Sequence, residues 1–410
     1  MFNIIYRYLL SLIILTTNVF AGLTEIKEKL TSSLSSEGFE NIRVSFQNSD
    51  LFLTYENRLY RFEIDGLFKV FEIIDSSLTN EEIDKIVVVI QNKQIPVVRV
   101  CVKNKILSSY MDKEISRKEF ADNLETSFDV KEEWSKLENV EATNSSKLKF
   151  DLIFKPTYKF EFGLYSKPVR YQLNIAPSLE FSLWKGMSAQ YEMTIPIHND
   201  LLPREDTVRT SLAVFNQSFR FTNSFIVSAS LGYFTQNRYG LDLDARNYFL
   251  NGELSVALNI GYTGYASFSG LRLYYSDLYL WTGSCGIEYR IQKYDLTLGI
   301  TAGKFLLGDN TIKVDINRDF GEVQIGFFAL RSDEGISNGG INLSIPFLPS
   351  KHLKPNFIRL KTNESLAYSY LLKTNTDDLI GLRYNTGYRT SDFIERLNPG
   401  FIKNYFRNRL

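Results

Sequence analysis

The chain has 410 residues, and its 47 lysines and arginines balance 47 aspartates and glutamates to a formal net charge of zero. This balance excludes the strongly basic composition that is typical of nucleic-acid-binding proteins. Two cysteines and two histidines are too few for a disulfide framework, for a metal site built from histidines or for most histidine-based catalysis, so the composition argues against an enzyme.

The first 21 residues have the pattern of a secretory signal peptide. A positive charge at Arg7 is followed by a short apolar run and then by small residues up to Ala21. That run is too short to span a bilayer as a helix, and no later stretch approaches the ~20 apolar residues that such a helix needs. We therefore expect cleavage after Ala21 and export of the remaining chain.

Residues 22–146 are acidic, with 16 basic and 23 acidic side chains, and they mix the periods of strands and helices. A helix is predicted between Leu67 and Ile74, and a capping box beginning at Ser116 predicts another. The polar segment 131–147 predicts a short helix and a linker. Strands are predicted at residues 42–46, 51–55, 86–90 and 97–102. Together these features predict a small α/β domain.

Residues 147–410 carry 30 basic and 24 acidic side chains and repeatedly alternate apolar with polar residues. Between positions 170 and 183, for example, the odd positions are mostly apolar and the even positions mostly polar. Such alternation predicts strands that have one apolar face. The same pattern recurs around residues 150–164, 254–263, 294–303, 312–316 and 382–388.

Three features favour a membrane barrel over the alternative of a soluble β-sandwich. Several predicted strands are long, their polar faces are rich in small residues, and aromatic residues lie near strand ends, as in outer-membrane barrels. A sheet can cross hydrocarbon only if it leaves no unpaired edge. The sequence therefore predicts a transmembrane antiparallel β-barrel of about 14 strands, an even number, over residues 147–390. It is preceded by the small α/β domain, expected in the periplasm, and followed by a basic C-terminal tail, residues 391–410.

Four stretches of the chain resemble, in order, segments of the YjbH/GfcD family of exopolysaccharide and capsule outer-membrane proteins. They are Tyr55–Arg61, Leu202–Thr210, Gly303–Phe320 and Gly339–Pro346. The matched region looks like the C-terminal portion of longer family members. The resemblance implies an outer-membrane β-barrel that is linked to production or export of an extracellular polysaccharide. It implies no catalytic mechanism.

Charged residues on the polar faces of the predicted strands form the candidate site, and two interpretations stay open. They line a hydrated path for an acidic glycan, with Arg170, Arg209 and Arg290 as its cations, or they pair across neighbouring strands in a narrow or plugged lumen. Phe215, Phe234 and Phe328 are predicted to point inward, to stack on sugars or to pack. The nine charged candidates are Arg170, Glu180, Arg209, Glu288, Arg290, Asp295, Lys313, Asp315 and Arg383.

The predicted function is non-enzymatic assistance in production or export of an extracellular polysaccharide. A porin-like channel for small solutes is the runner-up. A third possibility is an outer-membrane hydrolase that uses His198, predicted to lie in a polar loop, with a serine such as Ser284. No cofactor, metal or nucleic acid is expected. The expected partners are outer-membrane lipid, polysaccharide and periplasmic export components.

Overall fold

A computed structural model describes residues 22–78, 83–163, 165, 167–201, 205–269, 272–353, 357–373 and 378–408. The predicted signal peptide lies outside these described residues. The described chain forms a five-stranded sheet and a fifteen-stranded sheet, together with short helices. None of the helices in this described part is both long and apolar enough to cross a membrane.

The five-stranded sheet belongs to an N-terminal α/β unit. Its strands follow the order β1-β2-β3-β4-β5, and β2 and β3 are parallel because helix α2 connects them. The strands are β1 (Glu40–Gln47), β2 (Asp50–Glu56), β3 (Lys85–Asn92), β4 (Ile95–Lys103) and β5 (Glu125–Ser127). The helices are α1 (residues 22–37), α2 (Glu63–Ser77), α3 (Asn104–Met111), α4 (Arg117–Asn123) and α5 (Lys131–Ser135). The predicted strands and helices of this region are confirmed.

The segment predicted as a linker is part of the α/β unit. After α5 the chain returns along the free edge of β1, where Ile42 and Thr143 exchange backbone hydrogen bonds of 3.0 and 2.8 Å. The Asn41 side chain donates to the Ser146 hydroxyl at 2.8 Å. Because the backbone groups at this edge need partners, they hold the polar segment in place.

The fifteen-stranded sheet follows, and all but one of its strand pairs are antiparallel. We call the end that contacts the α/β unit the near end and the opposite end the far end. Its first strands are β6 (Phe150–Phe162), β7 (Val169–Phe181), β8 (Met187–Asn199), β9 (Arg209–Arg220), β10 (Phe225–Phe234), β11 (Arg238–Phe249) and β12 (Leu254–Ser269). The others are β13 (Arg272–Tyr275), β14 (Leu280–Ile291), β15 (Leu296–Lys304), β16 (Asn310–Phe320), β17 (Val323–Ser332), β18 (Ser337–Pro346), β19 (Ile358–Thr362) and β20 (Ser365–Lys373).

The two ends of the sheet's hydrogen-bonded path are consecutive in the chain. β19 pairs in parallel with β6, whereas β20 pairs antiparallel with β18, and Asn363 and Glu364 alone separate the two strands. β19 and β20 therefore occupy one position between β18 and β6. The path of 14 strands then has 13 positions. The path has the predicted number of about 14 strands, and the parallel pairing of β19 with β6 goes with the shared position of its two end strands, because an odd number of alternating positions leaves one neighbouring pair parallel.

The large sheet exposes apolar side chains and buries polar ones. On β11, Leu241 and Leu243 are each 51% exposed, whereas Asp242 is 2% and Asp244 is 8% exposed. We call the exposed apolar side the outer face and the opposite side the inner face. A sheet of an ordinary water-soluble domain has the reverse arrangement. The predicted alternation is thus confirmed, and its polar side is the enclosed one.

The chain after β20 does not form the strand predicted around Leu382, Tyr384 and Tyr388. Residues 378–389, which we call the inner segment, run along the inner face of the large sheet without regular structure. The backbone at Gly381 and Gly387 has φ angles of 69° and 81°. These left-handed conformations prevent a continuous β-strand over this segment. The side chains between the two glycines nevertheless point to alternate sides of the chain, as in a strand.

The predicted basic tail consists instead of two helices, α6 (Thr390–Arg396) and α7 (Pro399–Asn408), and residues 409–410 lie outside the described part. The apolar side of α7 completes the core of the α/β unit, where the Phe406 ring contacts Phe71 and Phe120 at centroid distances of 6.2 and 5.5 Å. Because this segment is rich in basic side chains, its sequence was interpreted as a tail and its amphipathic helix was missed. Its start is marked by Asn398, whose side chain accepts a hydrogen bond from the Gly400 amide at 2.9 Å.

Truncation of Phe406 tests whether α7 belongs to this core. Phe406 is fully buried, so we expect Phe406→Ala to lower the free energy of unfolding of the α/β unit by about 3–5 kcal/mol. The measurement is the denaturant dependence of thiol labelling at buried Cys101, in a Cys285→Ser background. Lys403→Ala on the same helix is the control, with an expected change within about 0.5 kcal/mol. Equal effects of the two substitutions would show that α7 does not stabilise the unit.

Candidate functional site

The inner face of the large sheet, the α/β unit and the inner segment line a cavity of about 1020 Å³. Its wall is mainly polar and carries both signs of charge. Four of the nine predicted candidates line it, namely Glu180, Glu288, Arg290 and Arg383. The other five, Arg170, Arg209, Asp295, Lys313 and Asp315, are outside its lining.

The inner segment is hydrogen-bonded to the sheet at the far end. The carboxylate of Asp309, in the turn between β15 and β16, accepts from the Gly381 amide at 2.7 Å. In the same turn, the Leu306 amide donates to the Leu382 carbonyl at 3.0 Å. This turn belongs to one of the segments that resemble the YjbH/GfcD family, and its contacts fix the point where the inner segment enters the interior.

The same segment reaches the α/β unit at the near end. The Tyr384 hydroxyl donates to the Asp242 carboxylate at 2.9 Å, and the buried Lys93 ammonium donates to the Tyr388 carbonyl at 2.8 Å. Burial lowers the pKa of Lys93, although Glu180 lies 3.6 Å away and favours the charged form. The inner segment therefore crosses the interior from one end of the sheet to the other.

Arg383 was predicted to lie on a strand, but it belongs to the inner segment. Its guanidinium contacts the Ser284 hydroxyl and lies 5.2 Å from the centre of the Phe305 ring. An extended segment alternates its side chains as a strand does, which explains the wrong prediction. Arg383 therefore attaches the inner segment to β14 and the far-end turn.

Two of the three aromatic predictions hold. Phe234 is fully buried and stacks on Tyr384 with a centroid distance of 5.3 Å, and Phe328 shares the inner face with Lys313, whose ammonium lies 5.8 Å from its ring centre. Phe215 is instead 58% exposed on the outer face. On β9 the inward positions hold apolar residues as well, so alternation alone gave the wrong side there.

Helix α6 is attached to β11 by a cluster of charges near the cavity. The Arg389 guanidinium lies 3.3 Å from Asp244 and 3.3 Å from Asp392. The carboxylates beside it raise the pKa of Arg389 despite its burial. Arg246 similarly lies 2.8 Å from Glu288 and also contacts Glu395. These charges hold the chain in place where it leaves the interior.

Four further candidates, Arg290, Asp295, Lys313 and Asp315, also form ion pairs. Arg290 lies 2.8 Å from Asp319 and 3.5 Å from Asp295, which is not on a strand but in the turn before β15, with a φ of 48°. Lys313 and Asp315 are 3.2 Å apart. Asp295 was predicted on a strand because it continues the sequence alternation of β15. It lies instead in the turn before β15, where its backbone is left-handed.

At the far end, Arg170 contacts Glu161, and Arg209 lies 3.4 Å from Glu205. Since Arg290 lies at the near end, the structure does not bring the three predicted cations of a glycan path together. Their proposed role in guiding glycan stays a prediction. Of the candidates' ion pairs, Arg170–Glu161 joins neighbouring strands, as the second interpretation predicts, whereas the others lie on one stretch of chain or join more distant segments.

His198 and Ser284 lie on opposite faces of the large sheet. His198 is on strand β8 and not in a loop, and its ring stacks on Tyr171 of the outer face at 4.4 Å. Ser284 is on β14, where it meets Arg383 on the inner face. Four strands separate β8 from β14, so the structure does not assemble this nucleophile and base.

The first family-like segment, Tyr55–Arg61, joins the α/β unit to the near end of the sheet. The Glu56 carboxylate accepts from the Lys93 and Gln94 amides at 2.9 and 3.1 Å, and it lies 2.7 Å from Arg58. The side-chain oxygen Oδ1 of Asn57 accepts hydrogen bonds from two backbone amides and so shapes the turn that presents the arginines.

Arg61 binds the turn between β16 and β17. Its guanidinium donates to Glu322 at 2.9 and 2.7 Å, and to the Phe347 carbonyl at 2.6 Å. Nearby, the Glu63 carboxylate accepts from the Tyr55 hydroxyl and the Asn57 amide at 2.9 and 3.1 Å and has no cation beside it. Burial raises the pKa of Glu63 to about 8. This acid at the cavity wall is therefore largely protonated at neutral pH.

Asp151, at the start of β6, is the centre of a buried ionic network. It is 1% exposed and faces Arg359 directly across the β19–β6 pair, with Lys361 at 3.0 Å and Arg58 at 3.5 Å. Arg359 also lies 2.7 Å from Glu40 of the α/β unit. One carboxylate thus connects both ends of the sheet path and the α/β unit.

Sequence analysis missed several of these groups. Asp242, Asp244 and Arg246 fall at alternate positions of β11, between apolar residues, so the rule of alternation could have found them. Asp151 and Arg359 also lie between apolar residues, so alternation places them inward, but their pairing with each other and the role of Arg389 depend on contacts between distant parts of the chain and had no local signal. In the described ranges, no group of three or more His, Cys, Asp or Glu residues is placed to hold a metal ion.

Residues 21–352 match the sequence model of the YjbH family, which is described as "Exopolysaccharide biosynthesis protein YbjH". The chain belongs to this family. The YjbH match ends before β19, so β19, β20, the inner segment and the C-terminal helices all lie beyond it. The family resemblance of the four sequence segments is therefore confirmed, and no curated protein matches the chain.

Two solved structures with remote similarity to this YjbH-family chain are outer-membrane proteins or porins. A loop-deletion mutant of OmpT, an outer membrane protein of Vibrio cholerae, has 10% identity and a TM-score of 0.26, covering 48% of this chain and 85% of that one. A mutant of the porin of Rh. blastica has 12% identity and a TM-score of 0.28, covering 49% of this chain and 90% of that one. Similarities this low carry no argument about the present chain.

Removal of the Asp151 charge tests the network. Asp151→Asn leaves Arg359, Lys361 and Arg58 buried beside an uncharged partner, so we expect a loss of about 3–5 kcal/mol in the free energy of unfolding. The measurement is the denaturant midpoint of the folded, heat-modifiable band on gels. Asp206→Asn, at an exposed far-end position, is the matched control and is expected to leave the midpoint unchanged. Equal midpoints for the two variants would contradict the role of the network.

Proposed function

We propose that this YjbH-family protein is an outer-membrane β-barrel that assists production or export of an extracellular polysaccharide without catalysing a reaction. The observation that carries the proposal is the reversed polarity of the large sheet. Its exposed leucine, isoleucine and aromatic side chains suit hydrocarbon, and its charged side chains face an enclosed interior. The family description supplies the connection to exopolysaccharide.

The arrangement of β19 and β20 supports a barrel. A bilayer offers no hydrogen-bond partners to the backbone, so a spanning sheet must return to its own first strand. The segment Ile358–Lys373 does this, because it pairs with β6 over its first part and with β18 over its second part. The proposed barrel therefore has 13 strand positions.

The near end is proposed to face the periplasm. The α/β unit packs there, and most near-end connections have only two to five residues, whereas the far end carries residues 200–208 and the hairpin around β13. The one longer near-end connection, between β18 and β19, lies against the α/β unit, where Lys351 pairs with Tyr60. Long loops of outer-membrane barrels face outward, whereas their periplasmic turns are short. This orientation presents the α/β unit to periplasmic export components, which we propose as its partners.

The occupied interior supports a role other than that of an open porin. The inner segment crosses the interior, and the cavity-lining candidates Glu288 and Arg290 are paired with Arg246 and Asp319. A hydrated polymer would need this segment to move aside. We propose that the protein conducts small solutes poorly at rest and that its interior is available to polysaccharide only after this displacement.

Charge placed on the outer face tests the membrane barrel. Ile260, in the middle of β12, is 49% exposed, so Ile260→Arg is expected to cost about 2–4 kcal/mol in the bilayer. Leu250→Arg, in a near-end turn and 67% exposed, is the control and should cost about 0–1 kcal/mol. The measurement is the yield and urea stability of the heat-modifiable form in lipid vesicles. Two equally tolerated substitutions would argue for a water-soluble sheet.

Deletion of the gene in the native host tests the polysaccharide role. We expect surface polysaccharide, measured by extraction and sugar analysis, to fall at least tenfold and to return when the intact gene is supplied. Complementation by the Ile260→Arg form, if it does not insert, should fail. Normal polysaccharide in the deletion strain would refute the proposed function while leaving the barrel prediction intact.

A further inference from the structure

The large sheet has one place where two neighbouring strand segments share no ladder. β19 pairs with β6 only as far as Phe154, and the last backbone bond is the one that the Asn363 amide donates to the Phe154 carbonyl at 3.1 Å. Beyond it, residues 155–162 of β6 and 365–372 of β20 share no backbone ladder in the described chain, although side chains of the two segments are in contact. We call these two segments the β6–β20 seam.

Aromatic rings bridge the seam on the outer face. Tyr368 of β20 lies 6.2 Å from Tyr158 and 6.0 Å from Phe160, measured between ring centroids. Further toward the far end, Tyr370 lies 5.9 Å from Phe162. Such ring contacts are weak individually, and they tolerate sliding and rotation that a hydrogen-bonded ladder does not.

The inner side of the seam is polar along β6. Thr157, Lys159 and Glu161 are the inward residues of β6, and Ala367, Ser369 and Leu371 are those of β20. The seam therefore separates a polar interior from the apolar outer surface by a single layer of side chains. At other strand pairs of the path, a backbone ladder reinforces that layer.

Unpaired backbone is expensive in hydrocarbon, because each unsatisfied amide or carbonyl group costs several kcal/mol there. A barrel that keeps such a stretch across its far half has its lowest barrier to separation at this position. We propose that the β6–β20 seam is a lateral gate, through which the sugar portion of a membrane-anchored glycan moves between the interior and the surrounding lipid.

This assignment rests on the proposed polysaccharide function and adds the form and route of the substrate. A molecule that has a hydrated glycan and an apolar anchor matches both sides of the seam at once. Its sugars would meet the polar inner residues while its anchor stays among the outer rings. A free polysaccharide without an anchor would have no need to pass between two strands.

Crosslinking of the seam in assembled protein tests the gate. Cysteines replace Tyr158 and Tyr368 in a Cys285→Ser background, and intact cells are treated with a short thiol-to-thiol crosslinker after the barrel has folded. We expect newly produced surface polysaccharide to fall at least tenfold, with the heat-modifiable band retained. Cysteines at Leu343 and Tyr368 are the matched control, because they are opposite each other across the paired β18–β20 ladder. The crosslinked control should export normally.

The outcomes separate the gate from the proposed function. If deletion of the gene abolishes surface polysaccharide but the crosslinked seam exports normally, the gate is refuted and the function stands. If deletion has no effect, the function fails first. Equal losses in the seam and control pairs would mean that crosslinking the outer face is harmful in itself, which would also overturn the gate.

Amide hydrogen exchange gives an independent measurement on the unmodified protein in lipid nanodiscs. Residues 365–373 are expected to exchange at least tenfold faster at the amides that face β6 than at those that face β18. Uniformly slow exchange would show a closed ladder and overturn the gate. Protection that appears in native outer membranes but not in nanodiscs would show that a strand of another protein covers the edge, and this would overturn it as well.

Discussion

The Asp151 network is the constraint on which the rest of the structure depends. The carboxylate lies between two cations of β19 and one from the α/β unit, almost completely removed from solvent. A buried ionic group gains little over a well-packed apolar one, but losing one partner is costly. Because of this asymmetry, the network determines the register of the strands more than it adds to stability. It specifies that β19 meets β6 in parallel, and it fixes the α/β unit beneath that pair.

The reversed polarity of the large sheet determines what its interior can contain. Inward charges must be neutralised by neighbours, so β11, β14 and β16 supply carboxylates and cations to each other, and the inner segment supplies more. The same requirement brings the C-terminal chain inside, because its hydroxyl, guanidinium and carbonyl groups satisfy polar atoms that water would otherwise have to reach. The cavity and the inner segment are therefore parts of one polar interior, bounded by an apolar surface.

The sequence predicted those parts of the fold that depend on local period. The strands of the α/β unit, the helix around Leu67 and the alternating strands β6, β7, β12, β15 and β16 follow from spacing alone. Pairing between distant segments left no local signal, so the parallel β19, the inner segment and the position of Arg383 were missed. Helix α7 did have a local signal in Phe401, Ile402 and Phe406, which its basic residues concealed. Within the candidate site, inward charge was predictable, whereas the partner of each charge was not.

The position of helix α7 has a consequence for the order in which the molecule can be completed. Phe401, Ile402 and Phe406 fill the core of a unit whose other residues are synthesised first. The chain that links them runs through the interior of the large sheet, so that sheet must form around the chain or admit it before the core is whole. The α/β unit, most of which is synthesised first, therefore completes its hydrophobic core last. Contacts so distant in sequence make folding slow, and they couple completion of the α/β unit to assembly of everything that follows it.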